Sequence, residues 1–385
     1  MRKTRSARLG ILLTACAAVA AITAGCSSSG SSSSSAAATG TTPAASSAPV
    51  AATTKIITLP ASQMAKLKGK RVLVVPYWLD AFGTAFGSWI ERYYQQFGVS
   101  VTLFNANADD SAQLNELDTA IASGQYAGVI WQPIDLTAAG TTIRAIQQAK
   151  ISDVVFNGEL APGAQGVDVP QVVFDEQASL YPAGVQAGEY FKAHPALGTP
   201  MVAWLGSYPT TADCNTRLQG LMAGLKSVEP QAQLVFDQGG AAASDSQRKV
   251  ADLITSGKKF NIFDGCGSTQ SLAGYAALQA AGLAKAVNKV PQKVFIMSQD
   301  ASPPELQLLW DPTSAMMISD LNPPKDAAAE SVNLLNQQII GNVSLTSSAI
   351  WKVGFTVIGD NCPQSRGVVA AQYQGVQGFS VPACP

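Results

Sequence analysis

Short apolar segments alternate with amphipathic segments from residue 71 onward, and this alternation constrains the fold more than any other feature. Residues 71–75 are mostly Val and Leu, and the segment ends before Pro76. The following segment repeats large apolar residues at helical spacing, through Phe86, Trp89, Ile90, Tyr93, Tyr94 and Phe97. A strand followed by a helix with one buried face is typical of a β-α unit. Because parallel strands need helical crossovers, a series of such units predicts a parallel sheet.

The alternation occurs in two successive runs. The first run predicts strands over 71–75, 101–104, 128–131 and 153–157, and the pattern pauses near 173–178. The second run predicts strands over 201–205, 233–236, 260–264 and 293–297. Two runs predict an α/β fold with two doubly wound parallel sheets, one in each of two lobes. The remaining pieces, a strand at 314–319 and a helix at 325–340, could belong to either lobe.

The residues that follow the predicted strands are the candidates for a binding site. Ligands of open α/β sheets gather beyond the carboxyl ends of the strands, and two facing lobes would line a cleft from both sides. The residues at these ends are polar and aromatic: Tyr77, Trp78, Asp80, Phe82, Asn157, Glu159, Tyr208, Asp264, Gly265, Gly267, Gln299, Asp300 and Asp320.

The first 26 residues have the order of an export signal. A basic start is followed by a short apolar run at 9–22 and by small residues that lead into Cys26. This predicts a signal peptide over 1–25 of the lipoprotein type. The cysteine after small residues resembles the lipobox of bacterial lipoproteins, which implies that Cys26 is lipidated and begins the mature chain. The alternative is an ordinary cleaved signal with an incidental cysteine. We expect an extracytoplasmic protein, anchored by lipid to the outer face of the cell membrane.

Residues 26–53 are expected to form a disordered tether behind the lipidated cysteine. The segment is almost entirely Ser, Ala, Thr, Gly and Pro, and it carries no charge. Such a composition cannot offset the entropy of ordering by burying a core. A mucin-like stalk is the alternative, but a plain spacer is the simpler interpretation.

The body beyond the tether is too long for one compact core, since about 330 residues usually divide into lobes. We expect an N-terminal lobe of 54–172 plus about 322–348, and a C-terminal lobe of 173–321 plus about 349–385. The formal charge is −1, and charged residues make up 13% of the chain. A mildly acidic body without clusters of Lys and Arg argues against nucleic acid as a partner. We expect a monomer.

Four cysteines remain once Cys16 leaves with the signal and Cys26 carries lipid. An even number in an oxidising compartment predicts disulfides, and four cysteines allow three pairings. The pairing Cys214–Cys266 and Cys362–Cys384 keeps each bridge within one structural region, and the second bridge would tie down the C-terminal tail. A zinc site is the rival interpretation, but the chain has no CxxC spacing and one His. We predict no metal and no cofactor.

The order of these elements resembles the type I periplasmic binding proteins, in particular the sugar-binding branch related to ribose-binding protein. Residues 72–157, from VLVVPYWLDAFG to ISDVVFN, follow that family's run nearly element for element. The resemblance covers about 70–360. It implies two Rossmann-like lobes joined by a three-segment hinge that close around a small ligand. The lipid anchor and tether match the form that such proteins take in Gram-positive bacteria, where they feed an ABC permease.

The resemblance also implies which residues of the N-terminal lobe contact the ligand. The polar residue after the first strand falls on Asp80, and the stacking aromatic falls on Phe82. The second aromatic of that pair is replaced by Gly83, so one ring of the sugar sandwich is lost unless Trp78 or Tyr77 substitutes for it.

The other family positions fall near the later strand ends. The family's Asp-Arg pair, which hydrogen-bonds sugar hydroxyls, falls on Asn157 and Gly158, so this chain lacks the guanidinium group of that Arg. The helix Arg of the second lobe falls on Arg217, the late Asp on Asp300, and the hinge Gln on Asp320. The candidate ligand-binding residues are therefore Trp78, Asp80, Phe82, Asn157, Glu159, Arg217, Asp300 and Asp320.

Each of these candidates also has a purely structural interpretation. Asp80 could cap the helix that follows it, and Phe82 could belong to the core. Arg217 could pair with a neighbouring acid. Asp300 could be a turn residue, and Asp320 a hinge residue alone.

The predicted function is solute binding without chemistry, for an ABC importer. Carboxylates and amides hydrogen-bond hydroxyls, and an aromatic ring packs on the apolar face of a sugar, so a sugar or polyol fits the set. The excess of acids also permits a nucleoside or an amine-bearing ligand. A sensory receptor that partners a membrane kinase is the second hypothesis. An enzyme is disfavoured, because a Ser-His-Asp device would have to use His194 and no GxSxG, HExxH or P-loop occurs.

Overall fold

The strands and helices alternate as the sequence predicts. The structure, a computed structural model, describes residues 55–161, 163–207, 212–240, 242–354, 356–359 and 361–385. The predicted signal peptide, the lipidation site Cys26, the tether to residue 53 and the strand-end residue Tyr208 lie outside these ranges. No helix within the described ranges is both long enough and apolar enough to span a bilayer.

Eleven helices are found in the described part of the chain. In chain order they are α1 Ala61–Leu67, α2 Ala81–Gln95, α3 Asp110–Ser123, α4 Ala139–Gln148, α5 Glu176–Ala193, α6 Ala212–Val228, α7 Ala243–Thr255, α8 Ser268–Ala280, α9 Pro303–Trp310, α10 Pro324–Ile339 and α11 Cys362–Tyr373.

The strands of the same ranges are numbered separately. They are β1 Arg71–Val75, β2 Ser100–Leu103, β3 Gly128–Trp131, β4 Ser152–Phe156, β5 Gln171–Phe174, β6 Met201–Ser207, β7 Gln233–Gly240, β8 Ile262–Gly265, β9 Ala286–Val287, β10 Val290–Pro291, β11 Phe295–Gln299, β12 Met316–Leu321, β13 Ile350–Val353 and β14 Thr356–Ile358.

Two six-stranded sheets organise the body, which confirms the predicted α/β architecture. The first sheet has the order β2-β1-β3-β4-β5-β13, and all of its neighbours are parallel. The second has the order β7-β6-β8-β11-β12-β14, and only its edge strand β14 runs antiparallel. The two orders are equivalent, so each lobe repeats one doubly wound plan. A short hairpin of β9 and β10 lies outside both sheets.

The chain passes between the two sheets three times. The passages follow β5, β12 and β13. The strand β13 pairs with β5 in the first sheet, from Ile350 opposite Gln171 to Val353 opposite Phe174. This differs from the sequence-based division, which placed residues from about 349 onward in the C-terminal lobe. The pairing depends on an edge that only the folded sheet presents, and the sequence carries no local signal for it.

Local sequence explains where the main helices begin and end. Asp80 precedes α2, and its side chain accepts a hydrogen bond from the backbone N–H of Gly83. Asp109 caps α3 in the same way through Ala112. At the other end of α3, Gly124 adopts a left-handed conformation with φ of 61°, which ends the helix without a steric penalty.

Apolar side chains fill both faces of each sheet. One core cluster packs β1, β3 and β4 against α2 and α10, with Phe86, Ile90, Phe156 and Leu335 fully buried. The Phe86 and Phe156 rings stack with centroids 4.1 Å apart. Separate clusters fill the other face of the first sheet and the two faces of the second. The helices that cover each sheet fix the ends of its strands relative to one another.

The predicted disulfide of the C-terminal tail is present. Cys362 at the start of α11 is bonded to Cys384. The bridge returns the last residues to the helix, and Arg366 of α11 donates to the carbonyl oxygen of Pro382 at 2.8 Å. Chain-entropy arguments give such a loop about 3 kcal/mol of stabilisation.

Candidate functional site

One cavity of about 100 Å³ is lined by residues at the carboxyl ends of both sheets. At roughly 10–15 Å³ for a water-sized group, this is space for about seven to ten such groups, the scale of one small solute. The lining residues lie at or just after the ends of strands of either sheet, or in the first two turns of α2, α6 and α8. They are Tyr77, Trp78, Asp80, Phe82, Gln132, Asn157, Ser207, Asp213, Cys214, Arg217, Cys266, Gly267, Gln270, Asp300 and Asn322.

The structure brings most of the sequence-predicted candidates together around this cavity. The candidates that line it are Trp78, Asp80, Phe82, Asn157, Arg217 and Asp300. Glu159 and Asp320 are not among its lining residues. The contribution of each candidate residue to ligand binding stays a prediction.

Asp80 serves both as a helix cap and as part of the cavity wall. Its carboxylate accepts the Gly83 N–H at 2.8 Å, which fixes its direction at the start of α2. Burial in the first place, and the Asp300 carboxylate in the second, raise the pKa of Asp80 to about 7. The backbone N–H groups of Phe82 and Gly83 act in the opposite direction. Asp80 is therefore a group whose charge depends on what occupies the cavity.

The loop between β1 and α2 leaves room only for glycine at residue 83, the position where the resemblance implies a second aromatic side chain. A Cβ atom at residue 83 would lie 1.9 Å from the backbone carbonyl oxygen of Trp78, so no side chain fits there. Trp78 lines the cavity, and the ring of Tyr77 meets the Trp78 ring edge to face with the centroids 5.2 Å apart. Phe82 packs against Phe174 at 5.9 Å, so it joins the core as well as the lining.

Arg217 of α6 is held by an internal carboxylate. Its Nε and Nη2 donate to the two carboxylate oxygens of Glu176 at 2.6 and 3.0 Å, and both side chains are almost fully buried. Its Nη1 donates to the backbone carbonyl oxygen of Cys266. The predicted alternative, pairing with an acid, is thus present in the same residue that lines the cavity.

The second predicted disulfide, Cys214–Cys266, lies in the cavity wall. It joins the first turn of α6 to the residue that follows β8. Because both sulfurs are bonded to each other, they do not offer thiolate ligands beside Asp213. The bridge fixes the start of α6, and with it the position of Arg217 three residues later.

Asp300 occupies a strained position directly after β11. Its φ of 85° is unusual for a residue with a side chain. The carboxylate accepts the Ser268 N–H at 2.8 Å and the Asn322 amide at 3.3 Å. The Tyr373 hydroxyl of α11 donates to its backbone carbonyl oxygen at 3.2 Å. Strain that is held by three neighbouring elements is typical of residues at functional sites.

Asn157 and Glu159 take different places after β4. Asn157 has a φ of 49° and lines the main cavity, and its Oδ1 is buried without a hydrogen-bond partner in the described structure. Glu159 is exposed and lines a neighbouring cavity of about 190 Å³. That cavity shares Asn157 and Asp213 with the first one and is continued by Asp175 and Lys352.

Asp320 lies within β12 rather than at its end. It is paired with Gln299 of β11, and neither of its carboxylate oxygens has a hydrogen-bond partner within the described ranges. Burial raises the pKa of Asp320 well above its usual range, and the carboxylate of Asp264 raises it further. The predicted strand ended at 319, two residues before the observed end. Asn322 is therefore the first residue after the strand, and it takes the lining position expected of Asp320.

Several lining residues were not nominated from the sequence. Gln132 follows β3 directly and its Oε1 accepts the Tyr77 N–H at 3.3 Å. Asp213 and Gln270 lie in the first turns of α6 and α8. A signal was present for Gln132, since it follows a predicted strand. The helix residues could be found only once the two sheets were placed face to face.

A family model described as periplasmic binding protein domain matches residues 71–342. No curated protein matches the chain in sequence. Among solved structures, a solute-binding protein of Bacillus halodurans with bound myo-inositol has 16% identity and a TM-score of 0.65, and the match covers 80% of this chain and 99% of that one.

Two further structures agree with that match. The myo-inositol binding protein of Caulobacter has 18% identity and a TM-score of 0.66, with 82% of this chain and 99% of that chain covered. A Mycobacterium smegmatis protein in complex with β-D-fucofuranose has 15% identity and a TM-score of 0.67, with 80% and 96% covered. These matches confirm the resemblance drawn from the sequence. With a family model over most of its length and two such sheets around one cavity, the chain belongs to the periplasmic binding protein domain family.

Proposed function

We propose that this protein is the extracytoplasmic solute-binding component of an ABC importer, and that it binds one sugar or polyol between its lobes. The observation that carries the proposal is the cavity itself. Strand ends of both sheets contribute polar groups to it, and Trp78, Tyr77 and Phe82 add aromatic surface. The related structures that contain myo-inositol and β-D-fucofuranose support a polyhydroxylated ligand.

The proposed mechanism is closure without chemistry. A solute that contacts both lobes favours the conformation in which they are closed around it. The three passages of chain between the sheets are the places where a hinge would bend. The closed form would then dock on a membrane permease. We propose no catalytic step, since the family consists of binding proteins.

Ligand binding should raise the thermal stability of the protein. A ligand that binds only the folded state at about 100 times its Kd adds about 2.7 kcal/mol, which corresponds to about 5 °C in Tm for a body of this size. We expect this result from at least one member of a panel of pentoses, hexoses and cyclitols. Isothermal titration calorimetry should then give one site for each chain. A panel in which no sugar or polyol shifts the Tm would contradict the proposal.

We also propose that Cys26 carries the lipid anchor that keeps the protein at the outer face of the membrane. The export signal before it and the uncharged segment after it support this assignment. Cells grown with radiolabelled palmitate should label the wild-type chain, and Cys26→Ser should abolish both the label and membrane retention. The matched control is Cys16→Ser, which changes the other N-terminal cysteine and should leave the label in place. Labelling of the Cys26→Ser chain would contradict the assignment.

A further inference from the structure

The charge of the cavity is unbalanced. Three carboxylates line it, from Asp80, Asp213 and Asp300, and Arg217 is the one cation among its described lining residues. The guanidinium of Arg217 is engaged by Glu176 through two hydrogen bonds. None of the ion pairs found in the described ranges includes any of the three lining aspartates. The protein therefore supplies less positive charge than the cavity wall requires.

Two hydrogen-bond acceptors of the lining residues also lack a donor from the described residues. The amide N–H groups of Gln270 and Asn322 are directed at protein acceptors, the Gly240 carbonyl oxygen and the Asp300 carboxylate. The Oδ1 atoms of Asn157 and Asn322 are buried and accept no hydrogen bond from the described residues. These two buried oxygens need hydrogen-bond donors, and a bound solute can supply them.

A neutral polyol meets this requirement only in part. Each hydroxyl donates one hydrogen bond, whereas an ammonium group donates three and also carries a positive charge. Asp80 and Asp300 lie close enough for their charges to oppose each other, and burial raises the pKa of Asp80 to about 7. A cationic group beside them would remove this repulsion.

We infer that the cavity takes an amine-bearing polyol, such as an amino sugar or an aminocyclitol, with its ammonium group against Asp80 and Asp300. This inference rests on the proposed function and specifies the class of solute. The hydroxyl groups of the ligand would meet the remaining acceptors, and its apolar face would pack on the aromatic side chains of Trp78 and Phe82.

Matched pairs of ligands that differ by one amine test the inference. Inosamine is compared with inositol, glucamine with sorbitol, and glucosamine with glucose, by thermal shift and calorimetry at pH 7.0. We expect at least one amine to bind about tenfold or more tightly than its hydroxyl partner, because a charge-assisted hydrogen bond is stronger than a neutral one. Neutral members that bind as tightly as their amines would overturn the inference and leave the proposed function standing. Failure of every ligand in all pairs would count against the proposed function itself.

The variant Asp80→Asn distinguishes the effect of the Asp80 charge on ligand binding from its effect on the fold. Asp80→Asn keeps a side-chain oxygen for the Gly83 N–H, since Asn caps helices as well as Asp does, and it removes one negative charge from the cavity. We expect it to weaken amine binding about tenfold or more and to weaken binding of the neutral partner by a clearly smaller factor, because only the amine loses an ion pair. The matched control is Asp109→Asn, which makes the same change at the cap of α3, outside the cavity. Equal losses of affinity for both ligands of a pair would show that Asp80 does not interact with the amine, which would contradict the inference.

Discussion

Replacement of Arg217 by Met should lower the free energy of unfolding by about 3–5 kcal/mol, the range found when one partner of a buried ion pair is removed. The guanidinium satisfies both carboxylate oxygens of Glu176 and the carbonyl oxygen of Cys266, and the Arg217 and Glu176 side chains are 4% and 8% exposed. Without Arg217, the Glu176 carboxylate stays buried without its cation or has to take up a proton. Either outcome costs free energy that the unfolded chain does not lose. Chemical denaturation with the disulfides intact measures the change.

The double variant Glu176→Met/Arg217→Met distinguishes this cause from a loss of packing. It removes both charges, so we expect it to be more stable than Arg217→Met alone although it carries one more substitution. Arg248→Met is the matched control, because Arg248 pairs with Asp245 and Asp252 on the exposed face of α7. Its cost should stay below about 1 kcal/mol. A double variant less stable than the single one would show that the pair is not the source of the loss.

The alternation of strands and helices could be predicted because its signals lie close together in the sequence. The period of the apolar residues, the glycines that end helices and the aspartates that cap them all act within a few residues of one another. Asp80 before α2 and Gly124 after α3 are examples. The disulfide pairs could be predicted as well, because two regions separated in sequence each hold one pair. These features do not depend on how the lobes meet.

The ends of the strands in the second lobe were predicted one to four residues too early, and at β12 this shift explains why Asn322 rather than Asp320 lines the cavity. β12 ends at Leu321 rather than at 319, which leaves Asp320 inside the strand and brings Asn322 to the cavity. β11 ends at Gln299, so Asp300 is the first residue beyond it. An apolar run does not mark the last residue that pairs with a neighbouring strand. The last residue of a strand is set by its pairing with the neighbouring strand, and this pairing is a property of the folded sheet.

The partner of Arg217 could not be predicted either. Glu176 precedes it by 41 positions and begins a helix that packs along α6. Only that helix pairing brings the two side chains together. For the same reason the sequence could not assign β13 to the first sheet. The edge of β5 that it joins is created by the fold.

Raising the pH from 5.5 to 8 should lower the Tm of the ligand-free protein by about 5 °C or more, since each kcal/mol of stability is about 2–4 °C for a domain of this size. Burial raises the pKa of Asp80, Asp153 and Asp264 to about 7 and that of Glu305 to about 8. It also raises the pKa of Asp320. The same groups have pKa values of about 4 in the unfolded chain.

The sign of this effect follows from proton counting. Between pH 4 and the folded pKa values near 7 and 8, the folded protein holds protons on these carboxyl groups that the unfolded chain has released. Stability therefore falls as pH rises through this window, and it is fully present only below the unfolded values. Differential scanning calorimetry at pH 5.5 and 8 measures the difference, and a Tm that rises toward pH 8 would contradict the expectation.

Asp320→Asn tests whether the buried carboxyl groups cause the pH dependence. Both oxygens of Asp320 lack hydrogen-bond partners within the described ranges, so its ionisation inside β12 is uncompensated. The amide side chain cannot ionise, so the Tm difference between pH 5.5 and 8 should be smaller in the variant than in the wild type. This holds even if the variant protein is less stable than the wild type at both pH values. Asp118→Asn on the exposed face of α3 is the control and should leave the difference as in the wild type. Asp320 pairs with Gln299, the residue before the lining residue Asp300, and it lies two positions before the lining residue Asn322. The same substitution would therefore also show, through a change in the pH dependence of Kd, whether protonation of Asp320 is coupled to ligand binding.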